Sequence, residues 1–102
     1  MEFEIRFRRV RPEPFTPDAI SVHVDRLADL DDAGRLIAAG PLADGSGGLI
    51  LARFDTLDDA ERFARSDPFV TSGWETVEVR EWVHAHRSNN YLDDHSPTSH
   101  RG

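Results

Sequence analysis

At 102 residues with a formal net charge of −7, the chain fits one small acidic domain and lacks the basic face that nucleic-acid binding requires. It has no cysteine, which excludes disulfides and thiolate chemistry. No apolar run approaches the roughly 20 residues that span a bilayer, and Met1-Glu2-Phe3-Glu4-Ile5-Arg6 lacks the apolar segment of a signal peptide, so a cytoplasmic protein without membrane contact is expected.

Phe3, Ile5 and Phe7 alternate with Glu2, Glu4, Arg6 and Arg8, which predicts a strand with one apolar face. Two prolines make Arg9–Phe15 an irregular loop. Thr16-Pro17 reads as a helix start, with Thr16 as N-cap and Pro17 at the first helical position. Ile20, Val24, Leu27 and Leu30 then form a helical stripe predicted to face inward, and Gly34 ends the helix. Asp29, Asp31 and Asp32 oppose the dipole, so the last turn is expected to fray. Arg35–Ala39 is a short second strand that Gly40-Pro41 is expected to stop with a turn. Asp44–Gly48 is a glycine-rich loop.

Leu49–Phe54, apolar on nearly both sides, is a central third strand. Thr56 caps a second helix whose Leu57, Ala60, Phe63 and Ala64 are expected to face inward. Asp67-Pro68 ends it and begins a further short turn before Gly73. Thr76–Val83 is the fourth strand. The domain therefore covers 1–83, and 84–102 reads as a polar tail without periodicity.

The order β-α-β-β-α-β predicts an α+β, ferredoxin-like fold: a four-stranded antiparallel sheet with two helices on one face. Right-handed crossovers bring the start of the first helix and the end of the second to one end of the molecule. His23 and Asp67 then share that end, together with Arg9–Phe15, Gly40-Pro41 and Asp67–Trp74. A carboxylate beside an imidazole fixes its tautomer, the minimum equipment of an oriented general base. The plainer alternatives stand beside this. A histidine flanking an apolar stripe is more often a structural residue bonded to a carbonyl, and Asp67 before a proline is more often the N-cap of the turn that follows. The candidate catalytic pair is thus His23 and Asp67, with Gly40, Pro41, Phe69 and Arg9 as candidate substrate contacts. Arg9, with Arg11, is a candidate anchor for an anionic ligand, against the alternative of a solvated loop. His84, His86, His95 and His100 offer no rigid ligand spacing, so no metal site is assigned.

The sequence resembles the YciI-like (YCII-related) family. The resemblance is carried by His23 with Leu27, by Gly34-Arg35-Leu36-Ile37-Ala38-Ala39-Gly40-Pro41, by Asp58-Asp59-Ala60, by Asp67-Pro68-Phe69 and by Val77-Glu78-Val79-Arg80-Glu81-Trp82. It implies a ferredoxin-like fold that pairs as a dimeric α/β barrel, with a His/Asp-centred site at His23 and Asp67. Members of this kind include a dehydrochlorinase acting on a hydroxylated, chlorinated aromatic ring. Proton transfer by His23 in a lyase- or isomerase-type step without cofactor is the implied activity, on a small anionic or aromatic ligand. A non-catalytic metabolite-binding or dimerisation module is the alternative. Homodimerisation agrees with the residues: helices cover one sheet face only, leaving either Ile50 and Ala52 or Leu49 and Leu51 on the bare face.

Overall fold

The computed structural model describes residues 1–91. Strand β1 (Glu2–Arg9), helix α1 (Pro17–Asp32), strands β2 (Leu36–Pro41) and β3 (Gly47–Arg53), helices α2 (Leu57–Arg65) and α3 (Pro68–Thr71), and strand β4 (Glu75–Trp82) follow in order, with a 3-10 turn at Arg87–Asn89. The strands form one sheet in the order β2-β3-β1-β4, every neighbour antiparallel. This is the expected ferredoxin-like βαββαβ architecture. Residues 92–102, including His95 and His100, lie outside the described residues.

The period-two pattern decides which face is covered. Phe3, Ile5 and Phe7 sit under the helices, paired on β3 with Ala52, Ile50 and Gly48. Ile50 and Ala52 are therefore core residues, and Leu49 and Leu51 point to the open face beside Arg6 and Glu4. The main core joins Phe3, Ile5, Phe7, Leu30, Ile50, Ala52 and Phe54 to Ala60 and Ala64, whose small side chains let α2 lie close to the sheet. Arg26 of α1 stacks over Phe63 and donates to its carbonyl oxygen, tying the two long helices together.

Four expectations need correction. The inward stripe of α1 is Ala19, His23, Leu27 and Leu30, whereas Ile20 and Val24 are 44% and 54% exposed. The helix is rotated so that His23 faces in, because Asp67 and Phe69 hold its ring. Leu57 is also exposed, being the first residue of α2 and beyond the edge of the core. The end of α1 is intact rather than frayed: Arg35 N–H donates to the Leu30 carbonyl and Gly34 N–H to that of Asp31. These two bonds, with Gly34 at φ +72°, close the carbonyls that the acidic residues leave exposed. Gly40 and Pro41 do not stop β2; they are its last two residues, paired with Leu49 and Gly48. A proline is tolerated there because β2 is an edge strand.

Candidate functional site

Pro68 disfavours helical backbone at Asp67, which takes φ −64°, ψ 136° and so becomes the N-cap of α3. Its Oδ1 accepts the Phe69 N–H at 2.9 Å. That bond fixes the carboxylate and leaves Oδ2 facing α1. There Oδ2 lies 2.6 Å from His23 Nδ1. The cap and the histidine partner are thus one side chain doing both, 99% shielded from solvent since only 1% of it is exposed.

A carboxylate can only accept, so Nδ1 carries the hydrogen and donates it to Asp67. In the neutral ring this leaves Nε2 with a free lone pair, and no group among the described residues hydrogen-bonds it. The ring plane is held as firmly as its edge. Phe69 stacks on it at 4.4 Å between centroids, Phe7 meets it edge-on, and Phe15 stacks on the far side of Phe69 at 3.7 Å. Trp74 closes the cluster against Phe15.

His23 lines a cavity of about 450 Å³ between α1, the ends of β2 and β3, and the Arg9–Phe15 loop. Its wall is mostly apolar, with Phe7, Phe15, Ile20, Leu27 and Phe69. Gly40 and Pro41 form part of it, as does Gly47, where an added Cβ would lie 1.8 Å from the Phe7 carbonyl oxygen. His23 and Glu75 are its two ionisable lining groups among the described residues. Burial, and then the charge of Asp67, push the Glu75 carboxyl above the ordinary 4.5; Arg9 and His23 offset this only in part.

Of the six candidate residues, five meet at this cavity: His23, Gly40, Pro41 and Phe69 in the wall and Asp67 behind the histidine. Arg9 does not line it. Its guanidinium lies 3.9 Å over the Phe15 ring and donates to the carbonyls of Arg11 and Glu13, which makes it a clamp on the loop. Glu75 lies one residue before the strand expected from Thr76 and is the first residue of β4. The signal existed: Glu75 is two residues before Val77, on the face that Val77 and Val79 turn towards the helices. Among the described residues no group of three histidine, aspartate or glutamate side chains is placed to hold a metal ion, and no helix is long and apolar enough to cross a membrane.

The molecule is a ferredoxin-like βαββαβ domain with a shielded His–Asp pair at one end of a small cavity. The YCII-related domain matches residues 16–83, and the chain belongs to that family. Among curated relatives it is 32% identical to YjpA of Bacillus subtilis (strain 168), over 72% of this chain and 86% of that protein. It is 36% identical to the protein YciI of Escherichia coli O6:H1, over 57% of this chain and 70% of YciI. Among solved structures, it superposes on 5-chloro-2-hydroxyhydroquinone dehydrochlorinase (TftG) of Burkholderia phenoliruptrix AC1100, in complex with 2,5-dihydroxybenzoquinone, with a TM-score of 0.67 and 24% identity over 82% of this chain and 95% of that one. It also superposes on muconolactone isomerase with a TM-score of 0.65 and 14% identity, over 92% of this chain and 99% of the other. At these identities the structural likenesses establish the fold.

Proposed function

We propose that the protein is a cofactor-independent enzyme of lyase or isomerase type in which His23, oriented by Asp67, moves a proton on a small ring compound. The observation that carries this is the 2.6 Å contact between Nδ1 and Oδ2 with the same ring lining the cavity. Asp67 holds the tautomer that leaves Nε2 basic, and it faces the imidazolium that forms once Nε2 has taken a proton. The aromatic side chains Phe7, Phe15 and Phe69 that line the cavity give a ring compound an apolar wall beside His23. The dehydrochlorinase and isomerase activities of TftG and muconolactone isomerase are consistent with such chemistry on this fold.

Proton wash-out tests the reading without knowledge of the natural substrate. Indan-2-one, a flat ketone with exchangeable carbon-bound protons, is followed by proton NMR in D2O. Wild-type protein is expected to accelerate exchange, and His23→Ala to lower the rate by about 10²–10⁴-fold. Turnover that survives His23→Ala intact overturns the assignment.

The same reading includes a homodimer through the open sheet face. Leu49 and Leu51 stand there half-buried among Glu2, Glu4, Arg6, Arg53, Glu78 and Arg80, charges of both signs that a second copy can match. Sedimentation equilibrium is expected to give a dimer, converted to monomer by Leu51→Arg; a monomeric wild type removes this part.

A further inference from the structure

Glu75 is the wall group that the His23–Asp67 pair leaves unused. It is 7% exposed, yet no hydrogen bond or ion pair to its carboxyl group occurs among the described residues. Its oxygens are also not among the polar atoms sealed from solvent without a partner, so they open onto the cavity it lines. Arg9 stands across from it in the β1–β4 register, but the Arg9 guanidinium is occupied by Phe15 and by the carbonyls of Arg11 and Glu13. The charged groups facing Glu75 are therefore Asp67, His23 and a diverted Arg9.

We propose that Glu75 is the proton donor of this cavity, giving its carboxyl hydrogen to a carbonyl oxygen of a neutral, flat ring ligand held beside His23. A partly desolvated acid beside a second carboxylate retains its proton more readily than a fully solvated one, which supports this role. The wall carries no lysine or arginine among the described residues, so an anionic ligand would be sheltered there without a fixed cation to match it. That narrows the ligand, expected from the sequence as anionic or aromatic, to a neutral one.

Building on the proposed use of His23, the step balances without an oxidant or reductant. His23 Nε2 takes a proton from the carbon beside the carbonyl. The C–H electron pair becomes the new C=C bond, the C=O π pair moves to oxygen, and that oxygen takes the Glu75 proton. An enol, an imidazolium and a carboxylate result. Where the ligand carries a C=C bond in the β,γ position the enol is a dienol: the imidazolium gives its proton to the γ carbon, the remaining electron pairs become an α,β C=C and the C=O, and the hydroxyl proton returns to Glu75, which isomerises the ligand and restores both groups.

The test uses benzamide and benzoate, two rings of one shape, one neutral and one anionic, titrated against the whole protein while the NMR signals of His23 and Phe69 are followed. Wild-type protein at pH 7 is expected to bind benzamide at least roughly tenfold more tightly than benzoate, and Glu75→Ala to weaken benzamide by roughly tenfold. Glu75→Gln still donates a hydrogen bond, so it should keep benzamide binding, lose its weakening at high pH, and fail to support indan-2-one exchange. Equal affinity for the two probes, or benzamide binding indifferent to Glu75→Ala, overturns the proposal, as does the absence of any shift with either probe. The probe preference is read without turnover, so it fails separately from the His23 experiment, which fails if exchange survives His23→Ala.

Discussion

The two ends of the domain are built on opposite terms. At one end Phe3, Ile5, Phe54, Ala60 and Ala64 pack with no ionisable group among them, and Phe3, Ile5, Ala60 and Ala64 are fully or nearly fully dry. At the other end Ala19, Phe69 and Trp74 form a smaller cluster with Phe15, and the buried acids Asp67 and Glu75 lie beside it. The first end gains stability from apolar area removed from water. The second shelters two carboxyl groups, which costs stability unless each is partnered. Among the described residues Asp67 is fully partnered and Glu75 is not. The contrast teaches that the two ends answer to different demands: burial of an unpartnered acid has no structural benefit, and the proposed ligand site would account for it.

Removal of the largest dry side chain should show the contrast most strongly. Phe3→Ala is expected to lower the unfolding free energy by about 3–5 kcal/mol, measured by urea titration, with benzamide binding of the folded fraction unchanged. Phe15 is only half-buried and stacks on Phe69 in the cavity wall. Phe15→Ala should cost about 1–2 kcal/mol and weaken benzamide. Equal stability losses at the two positions would erase the distinction between the ends.

Asp67 belongs to both terms, and two variants separate them. Asp67→Ala removes the cap and strands the His23 N–H, at a cost of about 1–3 kcal/mol. Asp67→Asn keeps a cap, because its amide oxygen can still accept the Phe69 N–H. Its NH2 group then faces His23, so Nδ1 must accept and the hydrogen moves to Nε2. The fold should hold within about 1 kcal/mol while indan-2-one exchange collapses, and 15N chemical shifts of the His23 ring should report the exchanged tautomer. Retention of the Nδ1–H form in Asp67→Asn would show that the aspartate does not set the ring.

Much of this was legible in the sequence, and the parts that were not share a cause. Alternation in Phe3–Phe7, the Thr16-Pro17 start and the order of elements dictated the sheet, the crossovers and the meeting of His23 with Asp67, forty-four positions apart. Local pattern failed where a tertiary partner outweighed it. Ile20 and Val24 read as core, but α1 is turned by the stack of His23 on Phe69, and both are exposed. Gly40-Pro41 read as a break, but an edge position lets proline end a strand. The charge of Arg9 is visible in sequence and left it open to a ligand or to solvent, whereas the Phe15 ring it stacks over is visible only in space.

A smaller effect sharpens the site end. The folded state holds the Glu75 proton more tightly than the unfolded chain does, since burial and Asp67 raise its pKa above 4.5. The stabilisation this gives is complete below the unfolded value and is lost as pH rises through the folded one. Wild-type stability should therefore decline across that window, and Glu75→Gln should flatten the decline, so that the variant gains on wild type from pH 4 to pH 8. Thermal melts across that range read the slope; parallel curves for the two proteins would mean that Glu75 is solvated.

The smallest effect tests the rotation of α1. A helix set as its apolar spacing suggests would bury Val24, and truncating it would leave a cavity and an unpaired hydroxyl. With Val24 at 54% exposure, Val24→Ser should change stability by no more than about 0.5 kcal/mol. Leu30, on the same helix but 7% exposed, supplies the control: Leu30→Ala should cost about 2–5 kcal/mol. Comparable losses at the two positions would mean that α1 presents its valine face to the sheet. His23 would then be carried away from Asp67, because one rotation of the helix cannot bury both side chains.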